Sequence, residues 1–490
     1  MGIRAKGVSW WVFALLSVVS LAVQASDFRL VEAAKNRDSA AVRTILRQGV
    51  DVNARDPDGS TALLWAAHWN DLDTAERLIR ARADVNVANQ YGDTPLWEAC
   101  NNGSVAMVEK LVRAGANPNT SLLETGETAL MTCARSTGNP AAVQLLLAQG
   151  ADVNAKEKQK EQTALMWALE RRHPEVARAL IEHGADVRAK SKSGFTPLLF
   201  AARQGNVESA RLLVERGVDV NEKAPGGLTP LLVAADSGQE AFAIFLAEKG
   251  ADVKAADPNG LTALHYAVRK GHTILMYWQN RGEPGDAYRF RSNMPELVKV
   301  LLEHGADPNA RIKKGNRLNP ESAGARPQLG LAGATPFFLA AATGDAGIMR
   351  ALLAKGADPD LITQDRTTPL MVAAGFGRKD PRKKEDERQA LEAVKLLVEL
   401  GADVNAINSE GRTALHGAAS VWADEIIEFL VAKGANLVVE DKYGQTPLSI
   451  AEGDPNDFVD SSEKSARASP TSSTAQLIRR LGGDRLAQDR

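Results

Sequence analysis

TPLLFAARQGNVESARLLVERGVDVNEKAPGGL, residues 196–228, decides how this chain folds. Thr196 is placed to cap a helix by accepting an amide hydrogen bond, worth ~1 kcal/mol. Pro197 stands at the first helical position, where its missing N–H costs nothing. Leu198, Ala201 and Ala202 recur at helical spacing and give a packing side whose alanines allow close approach. Gln204-Gly205-Asn206 breaks the chain. Val207, Ala210, Leu213 and Val214 then form the apolar stripe of a second helix. Gly217 ends that helix in the left-handed conformation that glycine adopts most freely. Val218 to Asn221 exits extended, and Pro225-Gly226-Gly227 turns it back. The unit therefore reads as helix, turn, helix and hairpin-like loop.

The same grammar recurs along the chain. Its leading threonine falls at Thr61, Thr94, Thr128, Thr163, Thr196, Thr229, Thr262, Thr335, Thr368, Thr413 and Thr446, most often 33 residues apart. A fixed period of this size marks a repeat architecture and overrides the three domains that a length of 490 residues would otherwise suggest. The TPL and TAL starts, the G-A-D-V-N, G-A-D-P-N and G-A-D-V-K strings that begin at Gly150, Gly250, Gly305 and Gly401, and Thr-Ala-Leu-His at 262–265 and 413–416 resemble the ankyrin repeat. The resemblance covers roughly residues 27–485. It implies an all-α solenoid of about twelve units with hairpin loops, each burying its neighbour's apolar stripe. It also implies a concave face lined by first helices and loop tips.

The domain reading follows. Residues 1–25 read as an export signal: Arg4 and Lys6, an apolar run from Val8 to Val23, and small residues at Val23 and Ala25 before a cut. The expected location is therefore periplasmic or secreted, and the family type an exported bacterial one. Residues 26–60 are an N-terminal capping repeat, 61–271 and 335–452 regular repeats, 453–473 a flexible Ser-rich loop, and 474–490 a C-terminal capping helix and tail. Residues 272–334 are one repeat carrying two insertions. The first, 273–293, holds Tyr277, Trp278, Tyr288 and Phe290; the second, 311–334, is Gly/Asn/Pro-rich and basic. RKDPRKKEDERQ at 378–389 reads as a solvated extension of a second helix.

Composition excludes several classes of function. Lys and Arg total 59 against 61 Asp and Glu, so a net charge of −2 supplies no long-range field for nucleic acid or anionic lipid. The sequence has no G-x-S-x-G, no phosphate-binding G-x-x-x-x-G-K-[ST] and no H-E-x-x-H. No two of its seven histidines share ligand spacing. Asp56, Asn89, Asp257 and Asp441 recur at the hairpin tips and fit turn formation, one carboxylate or amide per step being too few for calcium. The expectation is no enzyme, no cofactor and no metal. Cys100 and Cys133 fall in neighbouring first helices. With helix axes ~8–10 Å apart against a bridging limit of ~7 Å, they read as two buried small residues, and export keeps a disulfide open.

The row four residues after each threonine (Trp65, Glu98, Thr132, Trp167, Phe200, Tyr266 and so on) reads as packing. The contact candidates stand seven or eight residues after the threonine, where the resemblance places the exposed end of the first helix: His68, Trp69, Arg135, Arg171, Arg203, Arg269 and Phe376. Tyr91, Phe195 and Tyr443 join them at loop tips. Trp, Tyr and Arg dominate interface hot spots, and the arginines form a discontinuous basic line suited to an acidic partner. The function expected is a non-catalytic scaffold, monomeric, that binds a partner protein through this face. Neither nucleic acid nor, once the signal is removed, a membrane is expected as a partner. The alternative is a receptor for a peptide, glycan or small ligand built by insertion 273–293.

Overall fold

The structure is a computed structural model and describes residues 28–268, 293–314, 330–377, 384–453 and 473–483. They fall into two compact units, one of residues up to Ala201 together with Arg211–Val218, the other of Ala202–Ala210 and everything from Asp219 onward. Among the described residues the regular elements are all α-helices, and the hairpins carry only isolated bridges such as Arg55 with Thr61. None of the described helices is long and apolar enough to cross a membrane.

The first unit contains the pairs Arg29–Lys35 and Ser39–Leu46, Ala62–His68 and Leu72–Arg80, Pro95–Asn101 and Val105–Arg113, Ala129–Ser136 and Pro140–Ala148, and Ala164–Glu170 and Pro174–Glu182. Their starts follow from capping. Thr61, Thr94, Thr128 and Thr163 each accept the amide of the residue three ahead, and Asp38, Asp71, Ser104 and Asn139 cap the second helices. Leu63, Leu96, Leu130 and Leu165 of the first helices and Leu78, Leu111, Leu146 and Leu180 of the second are fully buried. Each such leucine stabilises the fold by about 1.5–3 kcal/mol, and first helices pack on first helices in register.

In the second unit the same pattern runs through Pro230–Asp236 and Glu240–Glu248, Ala263–Ala267 and Pro295–Glu303, Pro336–Thr343 and Ala346–Leu353, Pro369–Ala374 and Lys384–Glu399, Ala414–Ser420 and Asp424–Ala432, then Pro447–Glu452 and Ser473–Arg480. The interrupted repeat thus keeps both its helices, with Met294 N–H bonded to Ala267 O at 2.9 Å. The mixed-charge run enters the 16-residue helix Lys384–Glu399. The last helix buries Leu477 and Ile478.

Two hydrogen-bond ladders tie successive loops. At the base, the Asn of each G-A-D-V-N string bridges to the next repeat. Asn154 Oδ1 accepts from Asp186 N–H at 2.7 Å, and its Nδ2 donates to Gly184 O at 3.1 Å. Asn86, Asn119, Asn221, Asn309 and Asn405 do likewise. At the tips, Gln90 N–H reaches Asp58 O, Leu123 N–H reaches Tyr91 O, Lys158 N–H reaches Thr125 O and Lys192 N–H reaches Lys160 O, all within 2.7–2.9 Å. Replacing Asn154 by Ala removes both base bonds and is expected to cost about 1–2 kcal/mol, read as a lowered denaturant midpoint. An unchanged midpoint removes the ladder from the account of stability.

Candidate functional site

The hairpin tips owe their shape to the residues expected there. Asp56, Asn89, Asp257 and Asp441 each accept the backbone N–H groups two and four residues on, for example Asp441 Oδ1 from Tyr443 and Gln445 at 2.8 and 2.9 Å. Three of the aromatic residues four after the threonine reach back to hold these loops. Trp65 Nε1 donates to Asp56 at 3.3 Å, Trp167 Nε1 to Gln162 at 2.8 Å and Tyr266 Oη to Asp257 at 3.0 Å. This anchoring goes beyond the packing expected of that row. Its signal is an aromatic residue paired with a polar one up to nine residues earlier.

On the hairpin tips, Tyr91 is 60% exposed and Leu123 63% in the first unit, and Tyr443 is 68% exposed in the second; the Leu123 tip is closed by backbone bonds, Leu122 N–H to Glu127 O and Gly126 N–H to Leu122 O. Tyr443 lies 5.9 Å from the Arg412 guanidinium. Leu123 is absent from the sequence candidates because a leucine in a polar loop carries no mark of its own.

The first-helix ends are less free than expected. Trp69 is 39% exposed; it stacks on Trp65 at 6.3 Å, donates Nε1–H to Lys35 O at 3.0 Å and faces Arg37. His68 Nδ1 pairs with Glu98 at 3.2 Å. Arg135 lies 4.5 Å over the Trp167 ring and 3.7 Å from Glu127. Arg171 is exposed at the end of its helix. Arg203 is half-buried in the second unit, and Arg269 lies outside the described residues.

Two candidates are corrected. Phe195 is only 4% exposed: Ser191 and Phe195 close their turn on each other, and the ring turns inward onto Phe200 at 5.9 Å. Phe376 is 5% exposed. Gly375, at φ 128°, bends the chain after the helix so that Phe376 N–H bonds Met371 O, and Phe376 lies over Gly417, where a Cβ would come 2.7 Å from its backbone nitrogen. Insertion 273–293, apart from Asn293, and residues 1–27 lie outside the described residues, as do most of the second insertion and 454–472.

The cysteines are also corrected. Cys100 and Cys133 are joined in a disulfide, with Cα atoms 4.5 Å apart. Axis spacing is not Cα spacing: each Cα stands about 2.3 Å out from its axis, so facing Cα atoms on helices ~8–10 Å apart meet within bridging range.

Burial pushes the Glu98 carboxyl up from its ordinary value of 4.5, against the opposing bond from His68. A carboxyl raised in the folded state binds its proton more tightly there than in the unfolded chain. Its contribution to stability is therefore full at acid pH and falls as pH rises through the folded value. Glu98→Gln is expected to raise the melting temperature at neutral pH, with the gain vanishing below the ordinary carboxyl value. A destabilised variant at neutral pH contradicts this. Burial also depresses His416, whose Nδ1 accepts from Thr413 N–H at 3.1 Å while Nε2 donates to Gln445 O at 3.1 Å. His265 makes the same contact with Thr262 N–H. These histidines brace loops. Among the described residues, no group of three His, Cys, Asp or Glu gathers to hold a metal.

The geometry is a stack of capped helix pairs with ordered tips, and comparison with known proteins agrees. A family model of three-copy ankyrin repeats matches residues 30–122, 70–157, 130–224, 218–277, 291–381 and 386–459, and a single-repeat ankyrin model matches 259–313. The chain belongs to the ankyrin repeat family. It is 32% identical over 186 residues to human neurogenic locus notch homolog protein 1, covering 38% of this chain and 6% of that protein. It is 26% identical over 207 residues to the E3 ubiquitin-protein ligase KEG of Arabidopsis thaliana, covering 38% of this chain and 13% of that one. The match thus spans a small fraction of these relatives' length. The human ASB11 ankyrin repeat domain superposes with a TM-score of 0.41 at 28% identity, covering 46% of this chain and 98% of that chain.

Proposed function

We propose that the chain is a non-catalytic scaffold that holds a partner protein through its hairpin tips and first-helix ends. Ankyrin repeats generally serve protein–protein interaction, which supports the class of function. The observation that carries the reading for this chain is that Tyr91, Leu123 and Tyr443 stand exposed on loops fixed by hydrogen bonds. Large apolar side chains held in water on an ordered frame lose little entropy on binding, and a contact made there keeps most of its energy.

The scaffold acts outside the cytoplasm, in the periplasm or secreted, and as a monomer. Residues 1–25 have the order of a signal segment, and the Cys100–Cys133 bridge suits an oxidising compartment. The test is recovery of the native partner by wild-type protein and by Tyr91→Ala with Tyr443→Ala, from the extracytoplasmic fraction of the source. Loss of the partner with the variant is expected; equal retention by both removes the tips from the site. Thiol labelling of the recovered protein without reductant is expected to modify neither cysteine, and labelling of both contradicts the location.

A further inference from the structure

We propose that the hairpin tips of the first unit dock an extended acidic segment that carries an apolar anchor at one end. The inference rests on the scaffold reading and adds the chemistry of the partner. Five successive tips are joined in order by four backbone hydrogen bonds, Gln90 N–H to Asp58 O, Leu123 N–H to Tyr91 O, Lys158 N–H to Thr125 O and Lys192 N–H to Lys160 O. The order of side chains along this edge is therefore fixed. Tyr91 and Leu123, both more exposed than buried, occupy adjacent tips toward one end.

Toward the other end, K-E-K-Q-K at 156–160 and K-S-K at 190–192 place five lysines on two adjacent tips of a protein whose net charge is −2. Lys156, Lys158, Lys190 and Lys192 are exposed. Lys156 Nζ and Lys158 Nζ each donate to a carbonyl, Lys190 O and Leu123 O at 2.8 Å, which orients the ammonium groups without neutralising them. Of the acids interleaved there, Glu157 is buried and accepts the backbone N–H groups of Gln159, Lys160 and Gln162. Glu124 and Glu161 remain exposed.

An edge that is apolar on two tips and cationic on the next two selects an occupant with the same segregation along its length. A linear peptide has that property. A bilayer offers the same headgroup charge over the same apolar interior at every point, so it has no reason to match the order. Cations of this kind chiefly set association rate and specificity, and the apolar pair supplies the hot spot.

The probe is a labelled synthetic peptide with a Trp-Leu end and a run of glutamates at the other. Its controls are a peptide of the same composition with the two kinds of residue interleaved, and one with lysine in place of glutamate. Fluorescence anisotropy with the full protein is expected to show the segregated peptide bound at least about tenfold more tightly than either control. Lys158→Glu with Lys192→Glu, and separately Tyr91→Ala with Leu123→Ala, are each expected to weaken it about tenfold. Melting curves check that the variants fold, and Lys→Gln replaces Lys→Glu if charge reversal lowers the melt. Equal binding of the three peptides, indifference to both double variants, or binding of phosphatidylserine vesicles in place of the peptide overturns the proposal. If the native partner is lost on changing Tyr91 and kept on changing the lysines, the acidic segment is refuted and the scaffold stands. If the segregated peptide binds while wild-type protein retains no partner, the scaffold reading fails and the tip chemistry stands.

Discussion

Reduction of the Cys100–Cys133 bridge, or Cys100→Ser, is expected to destabilise the first unit by about 3–4 kcal/mol. The bridge closes a loop across a sequence separation of 33, and in the chain-entropy picture the unfolded state gains the freedom the loop denied it. Both sulfurs lie in the core, at positions where neighbouring repeats carry alanine, so a serine also leaves a buried hydroxyl to satisfy. In a stack, stability is a sum of local and neighbour contributions. The loss should therefore appear as an early transition of repeats near 94–150, followed by hydrogen exchange, and not as a uniform shift. Equal exchange in oxidised and reduced protein contradicts the staple.

Arg412→Ala is expected to cost the second unit about 3–5 kcal/mol. Arg412 is buried; its Nε donates to Asp441 at 2.8 Å and its Nη2 to Gln445 Oε1 at 3.0 Å. Asp441 in turn caps the turn that presents Tyr443. Removing the guanidinium leaves a buried carboxylate without its cation. The pair Arg412→Met with Asp441→Asn separates charge from shape, and it should recover part of the loss in a denaturant titration. If Arg412→Ala leaves the midpoint within a few tenths of a kcal/mol, the pair is a surface contact of the ordinary weak kind.

The fold was legible because each repeat states its own boundaries. Thr-Pro-Leu fixes a start, Gly217 and its equivalents fix a stop, and the Asn of G-A-D-V-N makes the same two bonds wherever it occurs. Where an insertion left those residues in place, the helix pair survived, as Ala263–Ala267 and Pro295–Glu303 demonstrate.

The site was legible only in part, since exposure depends on what a neighbouring repeat does. Phe376 occupies a position that looks outward at Trp69 and Arg171, and a glycine opposite at Gly417 lets it in. Phe195 stands one residue before the threonine, where Leu228, Leu261 and Thr367 are buried as well, so its turn carries it inward as the regular repeat does. The disulfide is legible in the sequence only as the less favoured alternative, because helix axes lie farther apart than the facing Cα atoms that carry the cysteines. The basic edge could not be assembled from the sequence because K-E-K-Q-K and K-S-K lie a full repeat apart, and the bonds from Lys192 N–H to Lys160 O and from Lys156 Nζ to Lys190 O set them side by side.

Amide hydrogen exchange on the native complex bears most directly on the whole account. Bound partner is expected to protect the tips around Tyr91, Leu123, Lys156–Lys160 and Tyr443, leaving second helices such as Val105–Arg113 and Pro174–Glu182 as they are in the free protein. Protection confined to those second helices, with the tips exchanging freely, would mean that the stack binds by its other side and that the ordered tips serve folding alone.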